Sequence, residues 1–309
     1  MISKKLRKLL EQQHYEFAGD YTAIKICEWA KKSLRDEDVC YKEKFYGIRS
    51  HLCCQMSPTI NICSHSCVFC WRPIEYNLGF KFNAIDKPKD IIDNCIKAQR
   101  KKLSGFWGNE KVNKKKLKEA QNPKMFAISL SGEPTLYPKL PGLIDGLIER
   151  KITSFLVTNG TNPVMLKKLL KHQPTQLYIT LPAPDEETYI KCCKPLIKDG
   201  WKRINESLKL LKNFKRNVIR LTLVKNKNMI KADKYAALIK KYKPMFVEVK
   251  AYMWVGYSRK RLKQDNMPLH KEIKDFANKI AKLSGLRILD EKENSRVVLL
   301  GKGIKKISV

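Results

Sequence analysis

The sequence predicts an α/β protein built as a partial (βα)6 TIM-like barrel with N- and C-terminal extensions. Short apolar runs at Met125 to Leu130, Ile152 to Val157, Gln176 to Leu181, Val218 to Val224 and Phe246 to Met253 are separated by helix-like stretches, and strands alternating with helices make parallel βαβ units. A first strand near residues 55 to 62 brings the count to six. The 309 residues suit one large unit of this class. Functional groups in such a barrel belong on the loops at the carboxyl ends of the strands.

Residues 2 to 13 and about 21 to 34 show helical periodicity, with Leu6, Leu9 and Leu10 on one face and Ile24, Cys27 and Ala30 on another. The pattern breaks at Asp36-Glu37-Asp38. Residues 1–54 are therefore expected to form an N-terminal helical extension, 55–260 the barrel and 261–309 a C-terminal extension, all one structural unit. A helix through Ile91, Ile92 and Ile96 begins near residue 86, and residues 101 to 121 form a basic insert containing Phe106 and Trp107. Cations interleaved with aromatics suit an RNA backbone and a splayed base; an exposed linker is the competing reading. A helix at about 270 to 283 and apolar runs at Leu286 to Leu289 and Val297 to Leu300 fill the C-terminal extension.

Lys and Arg number 63 against 30 Asp and Glu, a formal net charge of +33. Such an excess implies a polyanionic partner such as RNA, DNA or an anionic membrane surface, with nucleic acid favoured. A Lys-rich surface of compositional origin would usually raise Glu alongside. The N-terminus MISKKLRKLLEQQ lacks the apolar run of a signal peptide. No stretch approaches the roughly 18 apolar residues of a membrane span. A soluble, cytoplasmic chain with no membrane partner is expected. Its ten Cys then point to metal ligation in a reducing compartment rather than to disulfides.

The densest chemistry lies at Cys63-Ser64-His65-Ser66-Cys67-Val68-Phe69-Cys70. Three thiolates this close can converge on one point as soft ligands for iron–sulfur, zinc or Cu(I). A closed zinc or electron-transfer site takes four protein ligands, whereas three leave one metal position open. A zinc knuckle completed by His65 or a distant Cys, and buried unliganded thiols, are the competing readings.

Cys27, Cys40 and Cys53 follow at intervals of thirteen. They suggest a second cluster with one open iron, against ordinary scattered thiols. Cys54, Cys95, Cys192 and Cys193 read as packing residues. Lys42, held against a metal and apolar neighbours, is a candidate for Schiff-base formation with a carbonyl substrate. Lys250, at the barrel mouth in the strand-six segment Glu248 to Arg259, is a second candidate. Trp254 reads either as a base-stacking ring or as barrel rim.

The C-x3-C-x2-C spacing with Phe69 before the last Cys resembles the signature of the radical S-adenosylmethionine (SAM) superfamily. "SGEPT" after strand two and "VTNG" after strand three resemble its glycine-glutamate and asparagine motifs, in the expected order. The two thiol sets, Cys40-Tyr41-Lys42, the run His51 to Pro58 and the strand-six segment together resemble one branch, the tRNA 4-demethylwyosine synthases in their single-domain archaeal form. This resemblance implies a barrel of the radical SAM type and two 4Fe-4S clusters. Cys63, Cys67 and Cys70 would hold the SAM-bound cluster; Cys27, Cys40 and Cys53 the second, which would chelate pyruvate. Gly132, Glu133, Thr158, Asn159 and Thr180 are the expected SAM contacts. Strand four departs from the family in reading Thr180-Leu181-Pro182 where many relatives carry Ser and Asp.

The implied reaction begins with reductive cleavage of SAM to a 5′-deoxyadenosyl radical. Hydrogen is then abstracted from the N1-methyl of the methylated guanosine beside the anticodon of phenylalanine tRNA. Condensation with pyruvate, whose carboxyl carbon is lost, gives the tricyclic base, with Lys42 as the first Schiff-base lysine and Lys250 the second. Eukaryotic relatives carry an added flavodoxin-like domain for which this chain has no room, so an external donor such as flavodoxin or ferredoxin is expected, and a monomer. Two other classes remain: another radical SAM RNA modifier such as a methylthiotransferase, whose N-terminal thiols lie farther apart, and a non-catalytic metal-stabilised RNA-binding protein.

Overall fold

Apolar strand and helix segments bury their faces only by stacking, and the computed structural model, which describes residues 2–80, 82–303, 306 and 307, shows how. Ten strands form one open sheet: β1 (Glu16–Phe17), β2 (Ala23–Ile24), β3 (Cys53–Ser57), β4 (Met125–Ile128), β5 (Thr153–Thr158), β6 (Gln176–Thr180), β7 (Asn217–Leu223), β8 (Phe246–Ala251), β9 (Arg287–Lys292) and β10 (Val297–Gly301). Their order is β1-β2-β3-β4-β5-β6-β7-β8-β10-β9. The six expected strands, β3 to β8, pair in parallel. Hairpins continue the sheet antiparallel at both sides, so the barrel stays unclosed.

Period-two alternation decides which side chain meets which layer. Leu156, Ile179, Leu221 and Val249 point outward into the helices, packing with Ile91, Leu143 and Ile204. Phe155, Tyr178, Val218 and Phe246 point inward and meet Tyr41, Phe45 and Tyr46 of the helix Tyr41–Tyr46, which plugs the barrel at the strands' amino ends. Gly47 ends that helix at φ +80°, the left-handed conformation that glycine adopts without a Cβ penalty. Each buried aromatic of this plug contributes about 1.5–3 kcal/mol.

Four expectations shift. The first strand begins two residues early and ends at Ser57, because residues 58–62 turn to launch the thiol loop. The helix expected over 21 to 34 starts only at Glu28: Ala23 and Ile24 pair instead with Ser57 and Met56, and Cys27 caps the helix by accepting from Ala30 N–H at 3.4 Å. The basic insert is neither linker nor free arm. It completes the helix Pro88–Leu103 and contains the helix Lys114–Ala120, with Leu103, Val112, Leu117 and Ala120 in the main core; Trp107 remains exposed. The C-terminal apolar runs are β9 and β10, sheet members rather than an appendage.

Candidate active site

The loop carrying Cys63, Cys67 and Cys70 leaves the carboxyl end of β3, where parallel strands expose unpaired backbone and functional groups collect. Neighbouring backbone holds it on two sides. Ser66 N–H donates to Cys193 O at 3.0 Å, Val68 N–H to Cys192 O at 2.9 Å, and Leu196 N–H to Ser64 O at 2.9 Å. From the segment after β8, Arg261 donates to Val68 O and Cys70 O, and Tyr257 N–H to Trp71 O at 2.9 Å. Burial raises the Cys63 thiol well above its ordinary range. Cys67 is raised as well, chiefly by its hydrogen bond with Cys193 and then by burial. A bound metal reverses this by taking the thiolate directly.

Gly132 sits at φ +71°, and a Cβ there would lie 1.8 Å from Thr59 O. Only a bare Cα lets the turn after β4 press against the chain entering the thiol loop, where Glu133 N–H donates to Ile62 O at 2.7 Å. Gly132, Glu133, Thr158 and Asn159 all line the cavity, and the Glu133 carboxylate is heavily hydrogen-bonded within the protein. It accepts from Thr135 N–H and Oγ1 at 3.0 and 2.6 Å, Thr158 Oγ1 at 2.5 Å and Asn159 N–H at 2.7 Å. Asn159 Nδ2 in turn donates to Ser64 Oγ at 2.9 Å and approaches Cys63 Sγ at 3.7 Å, while its Oδ1 accepts from Thr161. Glu133, Thr158 and Asn159 thus brace the thiol loop from behind. Thr180 lines the cavity, and its hydroxyl has no hydrogen-bond partner among the described residues.

The second triad assembles from three elements. Cys27 caps the helix Glu28–Leu34, Cys40 precedes Tyr41–Tyr46, and Cys53 opens β3. Burial pushes Cys40 up to about 11 and Cys53 well above its usual range; charge on Cys27 adds to both rises and charge on Cys40 to that of Cys53. Lys42 lies beside them, buried, with Nζ 4.7 Å from the ring centre of Phe155 and 4.9 Å from that of Tyr178. It has no hydrogen-bond partner among the described residues, and burial, then the Arg220 charge, lowers its pKa. Lys250 Nζ instead donates to Ser295 O at 2.6 Å, with burial lowering it to about 8.

A cavity of about 1030 Å³ connects the two regions, lined by all three residues Cys63, Cys67 and Cys70, by Cys27, and by Arg220 and Lys250. Cys40, Cys53 and Lys42 are not part of its wall. The volume is at the upper end for a small-molecule site. Among the described residues, the one trio of metal-ligand atoms within 4.8 Å of one another is His65, Cys67 and Cys193. Neither triad contracts that far, as one tetrahedral ion with metal–sulfur bonds of about 2.3 Å requires; thiolates are the donors that hold iron–sulfur clusters. His65 Nε2 is already engaged with Tyr189 Oη at 2.8 Å, and burial lowers it to about 4, which keeps the ring neutral.

Sequence reasoning passed over Arg220, Lys25 and Arg72, all on the cavity wall. Arg220 left a signal: it is the one charged residue in the strand Asn217–Leu223. Lys25, whose ammonium lies 5.4 and 5.2 Å from the Tyr15 and Trp71 ring centres, left none. Cys193, expected to be packing, stands against Cys67.

Comparison with known proteins places these observations. Residues 57–239 match the Radical SAM superfamily profile and residues 241–302 that of wyosine base formation. The S-adenosyl-L-methionine-dependent tRNA 4-demethylwyosine synthase of Pyrococcus horikoshii is 51% identical, over 97% of this chain and 89% of its own length. That of Methanocaldococcus jannaschii is 39% identical over 100% and 99%. The structure of TYW1 with a lysine-pyruvate adduct bound superposes with a TM-score of 0.89 at 37% identity, covering 99% of this chain and 98% of that one.

Proposed function

Since the chain belongs to the radical SAM family of tRNA 4-demethylwyosine synthases, we propose that its two thiol triads hold two 4Fe-4S clusters and that Lys42 receives pyruvate between them. The chain is a SAM-dependent tRNA-modifying enzyme that makes the tricyclic 4-demethylwyosine from N1-methylguanosine. It uses SAM and a 4Fe-4S cluster, as its superfamily does. Finer assignments are the proposal: Cys63, Cys67 and Cys70 for the SAM-bound cluster, Cys27, Cys40 and Cys53 for the second, and pyruvate as co-substrate. An external flavodoxin or ferredoxin as donor and a monomeric state belong to the same proposal.

One observation carries it. The first thiol triad and Cys27 of the second line one cavity in an unclosed barrel, and Lys42, buried beside Cys40 and Cys53 behind that wall, has no hydrogen-bond partner among the described residues. A 4Fe-4S cluster held by Cys63, Cys67 and Cys70 would, with SAM bound, supply 5′-deoxyadenosyl radical chemistry. The protein's own part is to orient and exclude. Glu133 and Asn159 hold the first thiol loop rigid, so that reacting atoms can be fixed about 3–3.5 Å apart. The aromatic floor excludes water from the radical. Desolvation keeps a fraction of Lys42 as free amine, the form that adds to a ketone. The lysine-pyruvate adduct of the TYW1 structure supports this reading. The Ser295 carbonyl holds Lys250 and disfavours it as nucleophile.

Anaerobic reconstitution should give about eight irons and eight sulfides per chain; four would remove the second cluster, and zinc with none would remove both. Incubation with dithionite, SAM, pyruvate and methylated tRNA should yield 5′-deoxyadenosine and the tricyclic nucleoside by mass spectrometry. The first product without the second would remove the pyruvate assignment.

A further inference from the structure

The inner face of β6 to β8 carries more buried positive charge than its carboxylate neutralises. Thr180, Arg220 and Glu248 stand side by side in register on β6, β7 and β8, directly above the apolar row Tyr178, Val218 and Phe246. Lys250 pairs with Thr222 in the row above. The Arg220 guanidinium lies 4.6 Å from the Tyr178 ring centre, the same ring that Lys42 approaches. Lys250 lies 5.4 Å from the Tyr41 ring centre. Three cations therefore surround two adjacent rings, with Glu248 as the carboxylate among them.

Arg220 is held from one side. Its Nε donates to Glu248 Oε2 at 3.0 Å, Nη2 is ion-paired with the same oxygen at 2.8 Å, and Nη2 donates to Tyr41 Oη at 2.7 Å. Glu248, fully buried, accepts in addition from Tyr41 Oη at 3.2 Å and Tyr46 Oη at 2.9 Å. Nη1 has no hydrogen-bond partner among the described residues, on a side chain that lines the cavity. A planar guanidinium locked along one edge and unsatisfied along another is built to take an oxyanion, and a carboxylate matches its fork. Because Tyr41 precedes Lys42 in the same helix, the hydrogen bond to Tyr41 also fixes Arg220 relative to the amine.

Resting on the reading that Lys42 condenses with pyruvate, we propose that Arg220 binds the carboxylate of the α-keto acid and so delivers its ketone to Lys42. Glu248, Tyr41 and Tyr46 are positioning residues for that guanidinium. In the condensation, Lys42 Nζ bonds to the ketone carbon, and the carbonyl oxygen leaves as water with the two amine protons. No net oxidation occurs. The arrangement selects α-keto acids over neutral ketones, which leave Nη1 unpaired at the cavity wall.

The test reads adduct formation rather than turnover. Cluster-loaded protein, without SAM or tRNA, is treated anaerobically with cyanoborohydride and either pyruvate or its neutral methyl ester, and the modified lysine is mapped by peptide mass spectrometry. Arg220→Met should raise the pyruvate concentration for half-maximal labelling of Lys42 by roughly 10- to 100-fold, the loss of a charge-assisted hydrogen bond, and leave the ester concentration unchanged. Arg220→Lys should recover part of the preference. Since Arg220→Met strands a buried Glu248, the double change with Glu248→Met removes the pair together and keeps the comparison available in a folded protein. Equal shifts for acid and ester, or none, would overturn the role of Arg220 and favour an iron of the second cluster as the carboxylate's partner. Absence of label in the native chain would instead remove Lys42, and equilibrium dialysis with radiolabelled pyruvate would then judge Arg220 alone: weaker binding in Arg220→Met upholds it, and unchanged binding overturns it.

Discussion

The two buried lysines share a charge environment but differ in one contact, and that contact separates their fates. Lys42→Ala should abolish the tricyclic nucleoside while 5′-deoxyadenosine still forms, and Lys250→Ala should lower turnover by less; nucleoside mass spectrometry checks both. A second residue-scale prediction concerns Asp185, which caps the helix Glu186–Cys193 by accepting from Thr188 and pairs with Lys231 at 2.7 Å. The Lys231 hydrogen bond, followed by that from Thr188, holds its carboxyl below the ordinary 3.8. A depressed acid contributes stability that is complete above the unfolded value and is lost as pH falls through the folded one. Acid melts followed by circular dichroism should show this loss, and Asp185→Ala should cost about 1 kcal/mol near neutrality. The six cysteines proposed as cluster ligands, and Lys42, stood out in the sequence because the chemistry proposed for them depends on residue type and spacing. The direction in which a side chain points is not written in a motif. Glu133 and Asn159, expected as SAM contacts, line the cavity and also hydrogen-bond Thr135, Thr158, Ser64 and Thr161, a bracing role that the motif did not announce.

Element boundaries were legible wherever one period dominated. The strands β4 to β8 are flanked by helices on one side and ringed by aromatics on the other, so their apolar runs stand out. Ala23 and Ile24 belong to a two-residue strand whose partners lie thirty residues on, a pairing that local periodicity cannot show. The turn after β4 carries the sharpest prediction at this scale. Gly132→Ala adds a Cβ against Thr59 O at a left-handed backbone position, so it should cost at least the roughly 1–2 kcal/mol of that conformation. It should also displace the thiol loop: iron content after reconstitution should fall further than for an alanine at Gly105, where the added Cβ meets nothing.

Across the whole molecule, 33 surplus positive charges set how substrate is gathered. Affinity for tRNA should fall by about 10³-fold or more between 50 and 200 mM salt if six or more phosphates are engaged, as filter binding would measure; a flat response would place recognition in the base alone. Composition announced this property in full, whereas the sheet's continuation into both extensions was hidden, since the strands involved are short or interrupted by a bulge between Leu299 and Leu300. That unclosed sheet leaves β9 with a row of backbone donors and acceptors on its outer side. Its sequence, Arg287-Ile288-Leu289-Asp290-Glu291-Lys292, ends in three ionic residues. Charges on a terminal strand make it a poor template for a further strand from another molecule. The barrel can thus stay open for its substrates without inviting edge-to-edge aggregation.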